Sequence, residues 1–390
     1  MTITSPADWD PRSADVLRDQ RAAYDALRES CPVAYSELMQ WSVFRHEDIT
    51  RVLLDPATFS NAVSQHVSVP NGMDPPEHTH YRQVVEPYFS AERLAAFEPI
   101  CRRIAAEILQ PVLADEVELM TAVALPFAAR VQCAFLGWPT VLQDELIGWT
   151  KRNTEATRQQ DRPALSQLAA EFRQLVDEIL LSRMKSDAAA AIDITAALMR
   201  EKVREHPLSK AELASILRNW TVGEVGTISA AVGILFQFLA EHPDVLQLLR
   251  SQPESLIPAI DEILRIHGPL VANRRIATCA VELGGRKLEA GARLTLIWIA
   301  ANRDHRVFPE PDHFRLDRNS TKNLLFGAGI HACPAAPLAR MVLRVLLEET
   351  LQRVEAIELV ATRPPVNAQY PASGFHSLPV VLREKPPAAQ

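Results

Sequence analysis

The sequence predicts a mainly α fold with a minor β part, an α+β class in which one large helical domain carries small β-sheets. Three observations predict it. Most of the first 270 residues place apolar side chains at helical spacing among Ala, Leu, Glu, Arg and Gln. Alternating or β-branched runs are confined to a few short stretches. Finally, 28 prolines against 13 glycines punctuate the chain without forming a flexible linker.

In chain order, helices are expected over 19–30, 46–55, 92–113, 141–157, 164–186, 211–241 and 254–267, with Pro87, Pro111, Pro126, Pro139 and Pro163 marking several boundaries. Short strands are expected over 32–44 and 276–299, the second holding the Gly284-Gly285 turn signal, and over His376–Leu382. A length of 390 at roughly 150 residues per domain suggests two or three domains. No repeat, linker or composition break divides the chain, so one domain over 1–390 is expected, with 1–18 and 384–390 loosely ordered.

Charge narrows the function. Lys+Arg 41 against Asp+Glu 48 gives a net charge of −7 with no long basic run, which argues against nucleic-acid binding. No stretch approaches the roughly 20 uninterrupted apolar residues of a membrane span. The first residues are acidic where a signal peptide is basic. Five scattered cysteines (Cys31, Cys101, Cys133, Cys279 and Cys333) argue against a disulfide framework and for a reducing, cytoplasmic setting.

The chemistry concentrates at LLFGAGIHACPAAPLAR, residues 324–340. Gly327 and Gly329 permit a tight loop, and Cys333 stands just before a helix expected from about Ala335 to Leu351. A helix N-terminus lowers a thiol's pKa and favours thiolate. A buried core cysteine is one reading of this pattern. Dinucleotide binding is a second, because GAGIHA fits Gly-x-Gly-x-x-Ala, but that motif must follow a strand and open a helix at its glycines. Here Cys333-Pro334 interrupts, which rules it out. Haem-thiolate ligation is the third.

This segment resembles the haem-binding loop of the cytochrome P-450 family, Phe-Gly-x-Gly-x-His-x-Cys-x-Gly, supplied here by Phe326, Gly327, Gly329, His331 and Cys333, with Ala335 in place of the last glycine. The resemblance implies a cytochrome P-450 fold, haem b with Cys333 as axial iron ligand, and His331 beside a haem propionate. Other motifs follow in family order. Glu262 and Arg265 match Glu-x-x-Arg, for which His313 or Arg315 is the expected third partner. His78 and Arg82 lie at i, i+4 after Pro75-Pro76, and Arg275 follows the Glu-x-x-Arg helix, with Arg274 as its competitor for a propionate.

The helix over 211–241 carries Gly223, Glu224, Gly226, Thr227 and Gly233. Thr227 can bond back to the Gly223 carbonyl and bend the helix, whereas Gly233 reads as a packing glycine. Counted back from His242-Pro243, Thr227 falls on the family's oxygen-activating threonine, and the acid that usually precedes it is Gly226. Glu224, three residues earlier, is the expected replacement in the proton relay, against the alternative of a solvated or salt-bridged glutamate. The resemblance further implies a monooxygenase that uses O2 and electrons from NAD(P)H, delivered by a separate ferredoxin and ferredoxin reductase. Arg102, Arg103, Arg340 and Arg344 would form a cationic docking face. The expected reaction is hydroxylation or O-dealkylation of a small to medium apolar or aromatic substrate lined by Asn219, Gly223, Leu270, Val271 and Phe375. A peroxide-driven or other haem-thiolate enzyme that does not use O2 is the alternative, drawn from the missing acid before Thr227.

Overall fold

The computed structural model describes residues 7–64, 66–185 and 193–386. Its helices form where the apolar spacing requires one buried face. Ala91–Leu109 begins at Ser90, whose hydroxyl accepts from the Arg93 N–H, and buries Leu94, Phe97, Cys101, Ile104, Ala105 and Ile108. That stripe packs against Ala336–Arg353, which buries Leu338, Met341, Val342, Val345 and Leu346. Lys210–Thr221 opens with a capping box between Ser209 and Glu212. It continues through a π-helical turn, Val222–Gly226, into Thr227–Glu241, which is buried on almost every side. The run Lys210–Glu241 is long and apolar enough to cross a membrane, but 72% of its apolar window is buried inside the fold.

The other expected helices appear as Gln20–Ser30, His46–Leu54, Gln143–Gln159, Arg162–Lys185 and Leu256–His267. Among the helices that escape the sequence reading, two carry a proline in their first turn. Leu125–Leu136 starts at Pro126 and ends at Gly137, φ +74°, so its proline opens the helix. Pro243–Ser251 likewise has proline in its first turn.

The strands assemble into a five-stranded mixed sheet in the spatial order Val33–Ser36, Gln40–Val43, Arg293–Ile297, Ala272–Ala277, Phe59–Ser60. Leu294 is opposite both Trp41, in a parallel pair, and Arg275, in an antiparallel one. Gly284 and Gly285, at φ +53° and +77°, turn the hairpin Val281–Leu283/Arg286–Leu288. Pro379–Glu384 is the middle strand of a second sheet, between Val354–Leu359 and Glu116–Glu118.

Of the ends expected to be loosely ordered, the described residues make contacts with the fold. Asp8 donates its N–H to the Tyr35 carbonyl and pairs with Arg286, and Ala14–Arg18 is a capped helix. At the other end Lys385 bonds to the Arg353 carbonyl. Residues 1–6 and 387–390 lie outside the described residues.

Candidate active site

The loop before Ala336–Arg353 is fixed by its backbone. Gly327 and Gly329 stand at φ +72° and +68°, and a Cβ on Gly329 would meet the Leu53 carbonyl at 2.4 Å. Both positions therefore require glycine. The Cys333 N–H donates to the Phe326 carbonyl (2.8 Å), and the Arg340 guanidinium lies 4.5 Å over the Phe326 ring. The Cys333 side chain consequently faces a cavity of about 540 Å³, inside the usual range of ligand pockets. The expected lowering of the thiol pKa is reversed. Burial pushes Cys333 up, and the Ala335 and Ala336 N–H groups offset this only in part. Metal binding draws off such a proton, because only the thiolate ligates.

The same cavity is lined by Arg82, Arg275, His331, Glu224 and Thr227. His78 is buried behind His331, their rings 4.2 Å apart. This corner is predominantly basic, although Arg82 Nε donates to the Glu86 carboxylate (2.6 Å). Burial, with help from His78, Arg275 and Arg82, brings His331 down to about 3; burial also brings Arg275 down to about 10. The carboxylate acting on Arg275 is Asp74, whose oxygens already accept from Ser60 and the Asn61 N–H. Arg275 is buried and, among the described residues, donates only to the Arg274 carbonyl (2.7 Å), whereas Arg274 is exposed and reaches the Tyr370 hydroxyl. Of the two rivals, Arg275 is thus the buried cation. The Nε2 atoms of both histidines are buried without a partner among the described residues, a costly state unless a ligand supplies acceptors. Two imidazoles and two guanidiniums around one cavity suit a group that carries two carboxylates, and haem is such a group.

The π-helical turn holds Glu224. Its carboxyl is buried with one oxygen unpartnered, and burial pushes it up to about 8. No ion pair reaches it among the described residues, and it lines the cavity. A Cβ at Gly223 or Gly226 would meet nothing within 4 Å, whereas one at Gly233 would strike the Met120 sulfur at 2.7 Å. Gly233 is thus the packing glycine, and the other two leave space. The expected Thr227 hydroxyl bond to Gly223 does not form; the Thr227 backbone N–H faces the Gly223 and Glu224 carbonyls instead. The wider turn takes Glu224 off the regular i, i+3 alignment with Thr227, yet both line the cavity.

The sequence model of the cytochrome P450 family matches residues 141–381, more than half of the chain. The chain belongs to the cytochrome P450 family. It is 30% identical to mycinamicin IV hydroxylase/epoxidase of Micromonospora griseorubida over 86% of this chain and 88% of that protein. It is 29% identical to cyclomarin C epoxidase CymV of Salinispora arenicola over 92% and 94% of the two chains. The structure of cytochrome P450 CYP109Q5 from Chondromyces apiculatus superposes with a TM-score of 0.83 at 26% identity, covering 96% of this chain and 97% of that one. This cytochrome P450 is accordingly a haem-thiolate monooxygenase that oxidises an organic substrate with O2.

Three expectations about this P450 change. Of the residues expected to line substrate, Asn219, Gly223 and Leu270 reach the cavity. Val271 is buried in the cluster around Tyr24, and Phe375 packs beneath Thr227–Glu241 against Gly233. The wall instead holds Phe89, Phe135, Trp220, Trp298 and Phe326, an aromatic lining that a 6% aromatic content gave no reason to expect.

The third partner of Glu262 is neither His313 nor the Arg315 side chain. Arg318 Nε donates to Glu262 Oε1 at 2.7 Å, and Arg315 contributes only its backbone N–H (3.3 Å). His313 is exposed and faces Glu310. The tight turns from Pro309 to His313 present their carbonyls to the Arg318 guanidinium, and this register is not visible in residue spacing.

The proposed cationic face is also neutralised. Arg102 pairs with Glu98, Glu348 and Glu349, Arg344 with Glu98 and Glu348, and Arg340 with Asp261. Arg103 lies 3.9 Å from Glu107.

Proposed function

We propose that Cys333 would hold the iron of haem b through its thiolate and that His78, Arg82, Arg275 and His331 would hold the haem propionates. The observation that carries this reading is the basic corner itself: Arg82, Arg275 and His331 line the same cavity as Cys333 with His78 packed against His331, and among the described residues only Arg82 has an acidic partner, Glu86. When bound, haem would supply the oxidation chemistry, activating O2 with two electrons and two protons so that one oxygen atom enters the substrate and the other leaves as water. The residues of this chain then do the remaining work. Phe326, pinned by Arg340, and the Gly327–Gly329 loop fix the position of the Cys333 sulfur. Glu224 keeps a proton on its buried carboxyl at neutral pH and passes it towards the Thr227 hydroxyl. Gly223 and Gly226 leave room for dioxygen and water beside that relay.

The aromatic wall favours a small to medium apolar or aromatic substrate, which this enzyme hydroxylates or O-dealkylates. Electrons come from NAD(P)H through a ferredoxin and its reductase, and all five cysteines are free thiols suited to the cytoplasm. A titration of the ferric holoenzyme with a panel of such compounds tests this reading. A low- to high-spin shift with aromatic or ether-bearing members, followed by NAD(P)H-dependent product formation, is expected. Turnover with hydrogen peroxide alone, and none with reduced ferredoxin, would overturn the assignment of electron donor.

A further inference from the structure

Five polar atoms at or just behind the cavity are buried without a partner among the described residues: Nε2 of His331, Nε2 of His78, Oε1 of Glu224, the acceptor Oδ1 of Asn61, and Nε1 of Trp298. The first three have roles above. Trp298, the remaining donor, has none. Its side chain lines the cavity and is only 6% exposed, and its indole can donate but not accept.

Trp298 directly follows the strand Arg293–Ile297, and its backbone N–H donates to the Val271 carbonyl (3.0 Å). That bond extends the pairing with Ala272–Ala277, the strand that carries Arg275. The ring belongs to the hydrophobic cluster of Leu53, Phe59 and Leu324. The Leu53 carbonyl abuts Gly329, two residues before His331. Phe59 lies opposite Ala277, two residues after Arg275. Trp298 thus stands between the backbones that carry Arg275 and His331, and all three line one cavity. An aliphatic residue would fill this cluster without leaving a donor unsatisfied. An indole is tolerated there when a ligand meets its N–H. The other donors of the corner point to carboxylates, and a carboxylate oxygen can accept from an indole N–H as it does from an imidazole or guanidinium.

We propose that the Trp298 indole N–H is a fifth donor to the carboxylates of the bound haem, beside His78, Arg82, Arg275 and His331. The inference rests on the haem reading above. Trp298→Phe keeps an aromatic ring and removes the donor. The measurement is the rate at which the holoenzyme loses its porphyrin to excess apomyoglobin, for haem b and for an iron porphyrin with ethyl groups in place of both propionates. The variant should lose haem b about tenfold faster than wild type and the ethyl porphyrin at the wild-type rate. Equal rates for haem b would overturn the proposal. Equally accelerated loss of both porphyrins would overturn it too, because that is the signature of a packing defect. A wild-type chain that takes up neither porphyrin would instead bring down the haem reading, and this inference with it.

Discussion

Two buried clusters of charge behave in opposite ways. At Glu262, Arg265 and Arg318 every charge is answered. The Glu262 carboxylate receives two bonds from Arg265 (2.7 and 2.9 Å) and one from Arg318, and Arg265 also donates to the Asn302 and Pro311 carbonyls. At His78, Arg82, Arg275 and His331 only Arg82 has an acid, Glu86, as its ion-pair partner among the described residues, and two ring nitrogens have no partner there. A folded chain tolerates the first cluster alone, whereas the second is complete only with an anionic ligand. Pairing therefore separates a structural charge cluster from a binding one, and substitutions in the two should have different consequences.

The largest effect is expected at the paired cluster. Glu262→Gln leaves two buried guanidiniums unanswered, and breaking such a pair costs about 3–5 kcal/mol. Chemical denaturation should show a lowered midpoint, or the protein should fail to accumulate. A change below about 1 kcal/mol would mean that Arg265 and Arg318 are satisfied by their carbonyls alone.

Arg275→Leu at the unpaired cluster should do the reverse. It removes a desolvated cation, so the cofactor-free chain should unfold at an equal or higher denaturant concentration, while haem affinity falls by about tenfold or more. Loss of stability without loss of affinity would erase the distinction.

Glu224 offers a smaller, pH-dependent test. Burial raises its carboxyl from 4.5 to about 8, so between those values the folded chain holds a proton that the unfolded chain releases. Stability contributed at acid pH is then lost as pH rises from 4.5 to about 8, and Glu224→Gln should flatten that slope. Denaturation midpoints from pH 5 to 9 measure it. In the holoenzyme the same variant should consume reductant with less product formed, haem content unchanged; undiminished coupling would remove Glu224 from the relay.

The smallest effect belongs to the surface. Arg103→Ala, at a side chain 68% exposed, should change stability by less than about 0.5 kcal/mol. Reduction by a ferredoxin should likewise change little.

Much of this was legible in the residues because local chemistry required it. Gly327, Gly329, His331 and Cys333 are adjacent in sequence, and their spacing alone sets the loop. Helices with one apolar stripe were legible for the same reason, whereas Leu125–Leu136 and Pro243–Ser251 were hidden behind prolines that open them. Contacts between distant segments were not legible. Arg318 finds Glu262 across 56 residues, and the turns that aim it are set by tertiary packing. Nor did composition reveal that acids on Ala91–Leu109 and Ala336–Arg353 neutralise the arginines expected to attract a partner. Val271 and Phe375 were placed by analogy, and packing takes both elsewhere, Val271 into the cluster around Tyr24 and Phe375 against Gly233.

The central claim is that Cys333, with the unpaired basic corner, holds a thiolate-ligated haem. The reduced carbon monoxide spectrum of wild type and Cys333→Ser tests it most directly. Wild type should show the red-shifted Soret band of a thiolate-ligated carbonyl complex, and Cys333→Ser should lose that band while the protein stays folded. A wild-type spectrum of the histidine-ligated kind, or a thiolate band that survives in Cys333→Ser, would contradict the account.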